Sequence, residues 1–390
     1  MRIAIVAGEP SGDFLAAGLM AELRRRFPAV TFEGIGGERM RAVGMQSYHP
    51  LEALSVMGLT EVLRHLPRLL GIRRDLLRRL RAAPPDLYIG VDAPDFNLPV
   101  ERRLKAAGVP TVHYVSPTVW AWRPGRLGKL QAAVDRMLCI FPFERDFFRA
   151  HDFPAVFVGH PLADEIPLEP DRAAAREALG LGEADEVLAV LPGSRRSEVR
   201  RLAPVFVEVM RRLQAERPRL RFVIPCASPP LRPEIEALLP PALASQVMLL
   251  DGRAREALTA ATAALVASGT ATLEAMLLKR PMVMAYRVSR LTAWIARRSV
   301  IIPHFAMPNL IAGREVIPEF TQDAATATRI APAVLAMLEA PAERAELVTL
   351  FRELHESLRQ GASARAAEAV TQLLCEQGHV PVPVTSGEPG

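Results

Sequence analysis

Short apolar runs separated by amphipathic stretches recur along the whole chain. In the first half the runs at 2–8, 31–36, 86–91, 111–115, 137–141 and 155–158 predict strands, and the stretches at 14–26, 96–107 and 143–151 carry helical spacing between them. In the second half the strand-like runs fall at 187–191, 221–225, 247–250, 264–267 and 282–286. Strands that alternate with helices in this way imply parallel sheets covered on both faces. The proline-rich stretch 159–170 has no period and is expected to join two domains. Three helical patterns close the chain, at 325–338, 342–358 and 364–375, and one of them is expected to cross back to the first domain. The expected fold class is α/β, with two Rossmann-like, doubly wound parallel-sheet domains at 1–165 and 166–345, closing helices at 346–377 and a loose tail at 378–390.

Composition agrees with two cores. Of 390 residues 50% are hydrophobic, which suffices to fill an interior in each half. The first run is too short for the apolar centre of a signal peptide, and the apolar window 257–278 is broken by Thr, Ser, Gly and Glu274, so neither predicts a targeting or spanning segment. Cys139, Cys226 and Cys375 lie far apart with no paired spacing, which fits a reducing cytoplasm.

The charge is concentrated. Between Glu61 and Arg81 seven arginines face two acids, and that excess equals the formal net charge of +5 of the whole chain. Val62, Leu66, Leu69, Leu76 and Leu80 recur there at helical spacing, with Pro67 and Gly71 expected to bend or divide the helix. A basic amphipathic helix can lie in an anionic membrane surface, or it can pack on a sheet with its arginines in water. Nucleic acid is disfavoured as a partner, because no aromatic residues interleave with the arginines.

Candidate chemistry lies where strands end, since open parallel sheets bind ligands outside the carboxyl ends of their strands. Leu191 ends a strand, and Pro192-Gly193-Ser194-Arg195 leads into a helix, so free backbone N–H groups, a helix dipole and a guanidinium converge on a site for phosphate. Ser268-Gly269-Thr270 forms a second small-residue turn, with Glu274 one helical turn further on, placed for ribose hydroxyls or for a capping box. In the first half the turn Gly8-Glu9-Pro10-Ser11-Gly12-Asp13 predicts Ser11 as an N-cap and Asp13 in a first helical turn, and leaves Glu9 without a structural explanation. Asp95 has the setting of an N-cap. Asp92, two residues before Pro94, does not, and is placed to take a proton from an acceptor hydroxyl.

Other signals are weaker. Trp120 and Trp122 can line an apolar groove or brace their loop, and His113 inside a strand has the setting of a core histidine. Asn309 and Arg314 lie in a later loop suited to a nucleotide. The first turn lacks the dinucleotide glycine fingerprint, Gly125–Lys129 lacks the following Ser or Thr of a Walker loop, and no His, Cys and acid spacing suggests a metal site.

Six motifs occur together and in order: Gly-Glu-Pro-Ser-Gly-Asp at 8–13, Asp-Ala-Pro-Asp-Phe-Asn at 92–97, Tyr-Val-Ser-Pro-Thr-Val-Trp-Ala-Trp at 114–122, Leu-Pro-Gly-Ser-Arg at 191–195, Ser-Gly-Thr-Ala-Thr-Leu-Glu at 268–274 and Pro-Asn-Leu-Ile-Ala-Gly-Arg-Glu at 308–315. With them the chain resembles the lipid A disaccharide synthases, inverting glycosyltransferases of the GT-B type, from about residue 2 to 376. The resemblance implies transfer of 2,3-diacylglucosamine from UDP to 2,3-diacylglucosamine 1-phosphate (lipid X) across an interdomain cleft, without cofactor or metal. It implies Asp92 as base. On the donor side it implies Gly193, Ser194, Arg195, Ser268, Gly269, Thr270, Glu274, Asn309 and Arg314. Glu9, Ser11, Asp13 and Ser116 fall on the acceptor side. The family's membrane-associating region corresponds to Val62, Leu63, Leu66, Leu69 and Leu70, which implies peripheral attachment to the cytoplasmic face of the inner membrane, and a homodimer stays open. Competing expectations are another GT-B UDP-N-acetylglucosamine transferase or 2-epimerase, a nicotinamide oxidoreductase, and a membrane-binding scaffold.

Overall fold

The computed structural model describes residues 1–54, 59–120, 127–289, 292–294 and 302–379. Two compact units emerge, one made of Met1–Pro161 with Arg359–Gly390, the other of Leu162–Leu358. The chain therefore leaves the first unit once and returns to it near its end.

The first unit is built on seven strands, β1 (Arg2–Ala7), β2 (Thr31–Gly36), β3 (Met45–Pro50), β4 (Leu87–Val91), β5 (Thr111–Tyr114), β6 (Arg136–Cys139) and β7 (Ala155–Phe157), in the order β3-β2-β1-β4-β5-β6-β7. The second holds β8 (Val187–Leu191), β9 (Arg221–Cys226), β10 (Val247–Asp251), β11 (Ala263–Ala267), β12 (Met282–Tyr286) and β13 (Glu319–Thr321), in the order β10-β9-β8-β11-β12-β13. Every pairing is parallel. The central strands β4, β8 and β11 are buried throughout, because helices cover both faces of a parallel sheet, and this is why they read as unbroken apolar runs. The two strands that the pattern missed, β3 and β13, both lie at a sheet edge. Their sequences, Met-Gln-Ser-Tyr-His-Pro and Glu-Phe-Thr, carry no apolar run because little of an edge strand needs covering.

In each sheet the first strand of the unit sits inside the order, so the chain winds outward first to one side and then to the other. That reversal leaves a crevice between the carboxyl ends of β1 and β4 in the first unit, and of β8 and β11 in the second.

The first unit's helices include α1 (Pro10–Arg26), α2 (Glu38–Ala42), α3 (Leu59–Ala82), α4 (Pro94–Lys105), α5 (Leu127–Gln131) and α6 (Pro142–Arg149). The returning helix Ala362–Glu376 packs on α1, and Arg136 at the start of β6 pairs with Glu376 at 2.7 Å. Contrary to the expected division, α3 runs through Pro67 and Gly71 as one helix. Its second half carries Ile72, Leu76, Leu77 and Leu80 into the core, with Asp75 bridging His49 and the outward Arg78 and Arg79. In its first half Leu66 is 41% exposed and Leu69 and Leu70 are half-buried. The side chains of Val62 and Leu63, together with Trp122 and the tail from residue 380, lie outside the described residues.

Candidate active site

The crevice of the first unit is shaped by close approach and by unusual backbone. A Cβ on Gly8 would come within 2.5 Å of the Cβ of Ala93, so only glycine lets the turn after β1 meet the turn after β4. Asp92 and Ala93 both hold positive φ, 52° and 43°, a conformation that costs a non-glycine residue free energy and recurs at functional sites. Buried neighbours hold them there. The Asp92 amide donates to the Tyr114 carbonyl at 2.8 Å, and the Asp92 carbonyl accepts from Nδ2 of Asn97, also at 2.8 Å. The same Nδ2 donates to the Val6 carbonyl at 3.3 Å while Oδ1 accepts the Tyr88 hydroxyl at 2.9 Å, so the fully buried Asn97 ties β1 and β4 to the Asp92 loop. The Asp92 side chain is half-buried.

The helix starts differ from the sequence expectation. α1 begins at Pro10 with Glu9 as N-cap, so Ser11 is an exposed first-turn residue rather than the cap. α4 begins at Pro94 with Ala93 as N-cap, which moves Asp95 inside the helix too. The proline fixes the start in both cases, since its missing N–H costs nothing in a first turn. Asp13 is buried with both carboxylate oxygens occupied: Oδ1 accepts from the amides of Gly37 and Met40 at 2.7 and 3.2 Å, and Oδ2 from that of Arg39 at 3.0 Å. It serves as the cap of α2, supplied from another helix. Ser116 is buried, and its hydroxyl donates to the Pro117 carbonyl at 2.9 Å.

Beneath this loop lies a second polar contact. Oε1 of Glu101 and Nδ1 of His113 are 2.7 Å apart, and both side chains are fully buried. Burial pushes the Glu101 carboxyl up, against the opposing pull of His113. Trp120 braces the loop after β5, its ring edge-on to Phe143 at 4.8 Å. The neighbouring Glu144 is pushed up to about 8 by burial, although the amides of Ile140 and Phe141 donate to it.

The crevice of the second unit is built from amides. Gly193 has φ 126°, a region open to glycine alone, and Arg195 caps the helix Arg196–Glu216. The amides of Ser194 and Arg195 converge on one oxygen of Glu198, at 3.1 and 3.3 Å, and the Arg195 guanidinium stands 3.5 Å from the other. A carboxylate thus already occupies donors suited to an anion. Sequence reasoning missed Glu198, although its place three residues into a helix is the usual one for a carboxylate that reaches back.

Across the switch point Gly269, with φ 131°, is the N-cap of the helix Thr270–Leu277, and Gly269 and Thr270 are exposed. Ser268 donates to the Phe305 carbonyl at 3.2 Å. Thr272 Oγ1 accepts from the Met307 amide at 3.1 Å. Glu274 pairs with Arg255 at 3.2 Å, which replaces the capping-box alternative. Asn309 is fully buried: Nδ2 donates to the Ile317 carbonyl and to Glu319, and Oδ1 accepts from the amides of Val316 and Ile317. Its side chain shapes the 305–319 loop. Glu319, also missed in the sequence, accepts from the amides of Phe305 and Ala306 at 2.9 and 3.0 Å and so holds that loop over the 268–272 turn. Arg314 is exposed.

Two switch-point crevices, one holding an acid on a constrained loop and the other a set of amides beside an arginine, match the plan of a sugar-nucleotide transferase. The family described as lipid-A-disaccharide synthetase matches residues 3–373. The chain belongs to this family. The lipid-A-disaccharide synthase of Alkalilimnicola ehrlichii is 53% identical over 95% of this chain and 98% of its own length. That of Azotobacter vinelandii is 54% identical over 96% and 98%. Family membership makes the enzyme class a glycosyltransferase. Among solved structures, a UDP-GlcNAc 2-epimerase from Neisseria meningitidis bound to UDP-GlcNAc superposes with a TM-score of 0.64 at 13% identity, covering 96% of this chain and 100% of that one. A ugt transferase from Siraitia grosvenorii in complex with UDP gives 0.62 at 14% identity, covering 96% and 99%. At such identities the likeness speaks for the GT-B fold alone, which the synthetase family thus shares with enzymes of other reactions.

Proposed function

We infer that the chain transfers 2,3-diacylglucosamine from UDP to the 6-hydroxyl of 2,3-diacylglucosamine 1-phosphate, with inversion, releasing UDP. The observation that carries this is the family match, which spans both units from residue 3 to 373. The residue roles rest on the geometry within each unit. Asp92 takes the proton of the acceptor hydroxyl as its oxygen attacks the anomeric carbon. The bond from that carbon to the diphosphate breaks in the same step, so an α-linked donor gives a β-linked product. Charge grows on the departing diphosphate, which takes the place of the Glu198 carboxylate on the amides of Ser194 and Arg195 and is stabilised there by them, the exposed 269–270 turn and the Arg195 guanidinium. Glu274 holds the ribose and Arg314 the nucleotide. Asn309 acts by shaping the donor loop, Asp13 by capping α2 and Ser116 by shaping the turn after β5, while Glu9 and Ser11 face the acceptor.

Both substrates are lipids, so the enzyme works at the cytoplasmic face of the inner membrane. No described helix is long and apolar enough to cross a membrane. Support for a surface contact comes from α3, where Leu66 is exposed beside Arg68 on the part of the helix that precedes the core-facing leucines.

The test is incubation with both substrates in detergent, read by mass spectrometry for the disaccharide phosphate and for UDP. Absence of the disaccharide overturns the assignment. In the same series, Leu66→Ser with Leu69→Ser should leave turnover in detergent unchanged and reduce co-sedimentation with anionic vesicles; undiminished co-sedimentation removes the surface role of α3.

A further inference from the structure

A cavity of about 580 Å3 opens in the first unit beside the Asp92 loop. Its walls come from the segments that follow β4 and β5: Pro94 and Leu98 from one, Val119 from the other, with Arg102 on α4 and Lys129 and Leu130 on α5. It starts at the turns that follow the carboxyl ends of β4 and β5, where ligands of such folds bind, and runs between α4 and α5; its size is within the roughly 300–1,000 Å3 of small-molecule sites.

The cations in it differ from their neighbours. Lys105, one turn beyond Arg102, is consumed by the carbonyls of Gln131 and Val134 and by Asp135. Arg102 and Lys129 are exposed and, among the described residues, pair with nothing. Among the described residues one acid, Asp95, lines the same cavity, and the described lining carries a positive fixed charge. Walls that mix half-buried prolines and Leu98 with two unpaired cations suit a ligand that is anionic at one end and apolar at the other. The loop ends that frame it are also constrained: Val115, after β5, holds φ 77°, rare for a β-branched residue, and Asp92 and Ala93, after β4, hold 52° and 43°.

We propose that this cavity binds the acceptor, with Arg102 and Lys129 on its phosphate and Leu98, Pro99 and Pro117 against an acyl chain. The proposal rests on the transferase assignment and adds to it the means by which the enzyme selects a phosphorylated acyl sugar. Pro94, which lines the cavity, follows Asp92 and Ala93 in the chain, so the cavity begins at the end of the loop that carries the proposed base.

The experiment compares Arg102→Ala, Lys129→Ala and the double variant with the unaltered enzyme, using an acceptor with its phosphate and one without. With the phosphate, the acceptor KM should rise about ten-fold in each single variant and further in the double, while donor KM and the UDP-induced shift in Tm stay constant. Arg102→Lys should recover part of the loss. With the phosphate-free acceptor all the enzymes should perform alike. An unchanged acceptor KM in the double variant overturns the proposal, and so does an equal loss with both acceptors. Should the unaltered enzyme make no disaccharide, the transferase assignment fails by itself, and the cavity is judged by cross-linking. An acyl glucosamine phosphate with a diazirine in its chain should label peptides that contain Leu98, Pro99 or Pro117; labelling confined to other peptides overturns the proposal.

Discussion

The two switch points share a topology and differ in how they are made. Between β1 and β4 the backbone is forced: Asp92 and Ala93, neither of them glycine, are held at positive φ by the Asn97 network beneath. Between β8 and β11 the backbone is free to adopt its turns, because glycine stands at 193 and 269. The first arrangement holds the backbone that carries the Asp92 carboxylate; the second gathers amides on one oxygen of Glu198. Proton transfer needs one group held within hydrogen-bond reach of one atom, and stabilisation of a diphosphate needs several donors around a spread charge. The proposed roles put acid–base chemistry where the fold spends free energy on strain, and anion binding where it uses glycine.

The largest effect expected from this contrast is on turnover. Asp92→Asn keeps the shape of the loop and removes the base, so kcat should fall about 10³-fold while UDP still raises Tm. A rate within a few-fold of the unaltered enzyme would take the acid out of the first crevice. Next comes the support of that loop. Asn97→Ala leaves the Tyr88 hydroxyl and the carbonyls of Val6 and Asp92 without their partner, and should cost about 3 kcal/mol in urea unfolding, with a loss of kcat and no loss of UDP affinity. If UDP affinity falls instead, the network does not belong to the first crevice alone. The smallest effect lies on the glycine side. Gly193→Ala puts a Cβ 2.6 Å from that of Glu198 at a φ of 126°, and should weaken UDP about ten-fold by isothermal titration. Unaltered affinity would mean that the diphosphate is held elsewhere.

Parts of both crevices were legible without coordinates. Strand ends followed by small residues mark them, since buried strands are apolar and turns need glycine, and six ordered motifs pointed to the family. What escaped has a common cause. Glu198, Glu319 and the capping role of Asp13 are carboxylates whose partners are backbone amides. Asp13 serves Gly37, Arg39 and Met40 from a different helix, and amides leave no mark in the sequence. Ser11 and Asp95 have the side chains of N-caps, yet the helices start at Pro10 and Pro94, because a proline fits the first turn at no cost in hydrogen bonds.

By itself the sequence determined the α/β class, the number of sheets, the strands that form their centres and the family, because these follow from periodicity and from residues that neighbour each other in the chain. Only the tertiary structure decided that Asn97, Tyr88 and Val6 converge on Asp92, that α3 turns its second half inward, and that Arg102 and Lys129 share one cavity. Those facts join residues distant along the chain, whose meeting depends on strand order and packing rather than on any local preference.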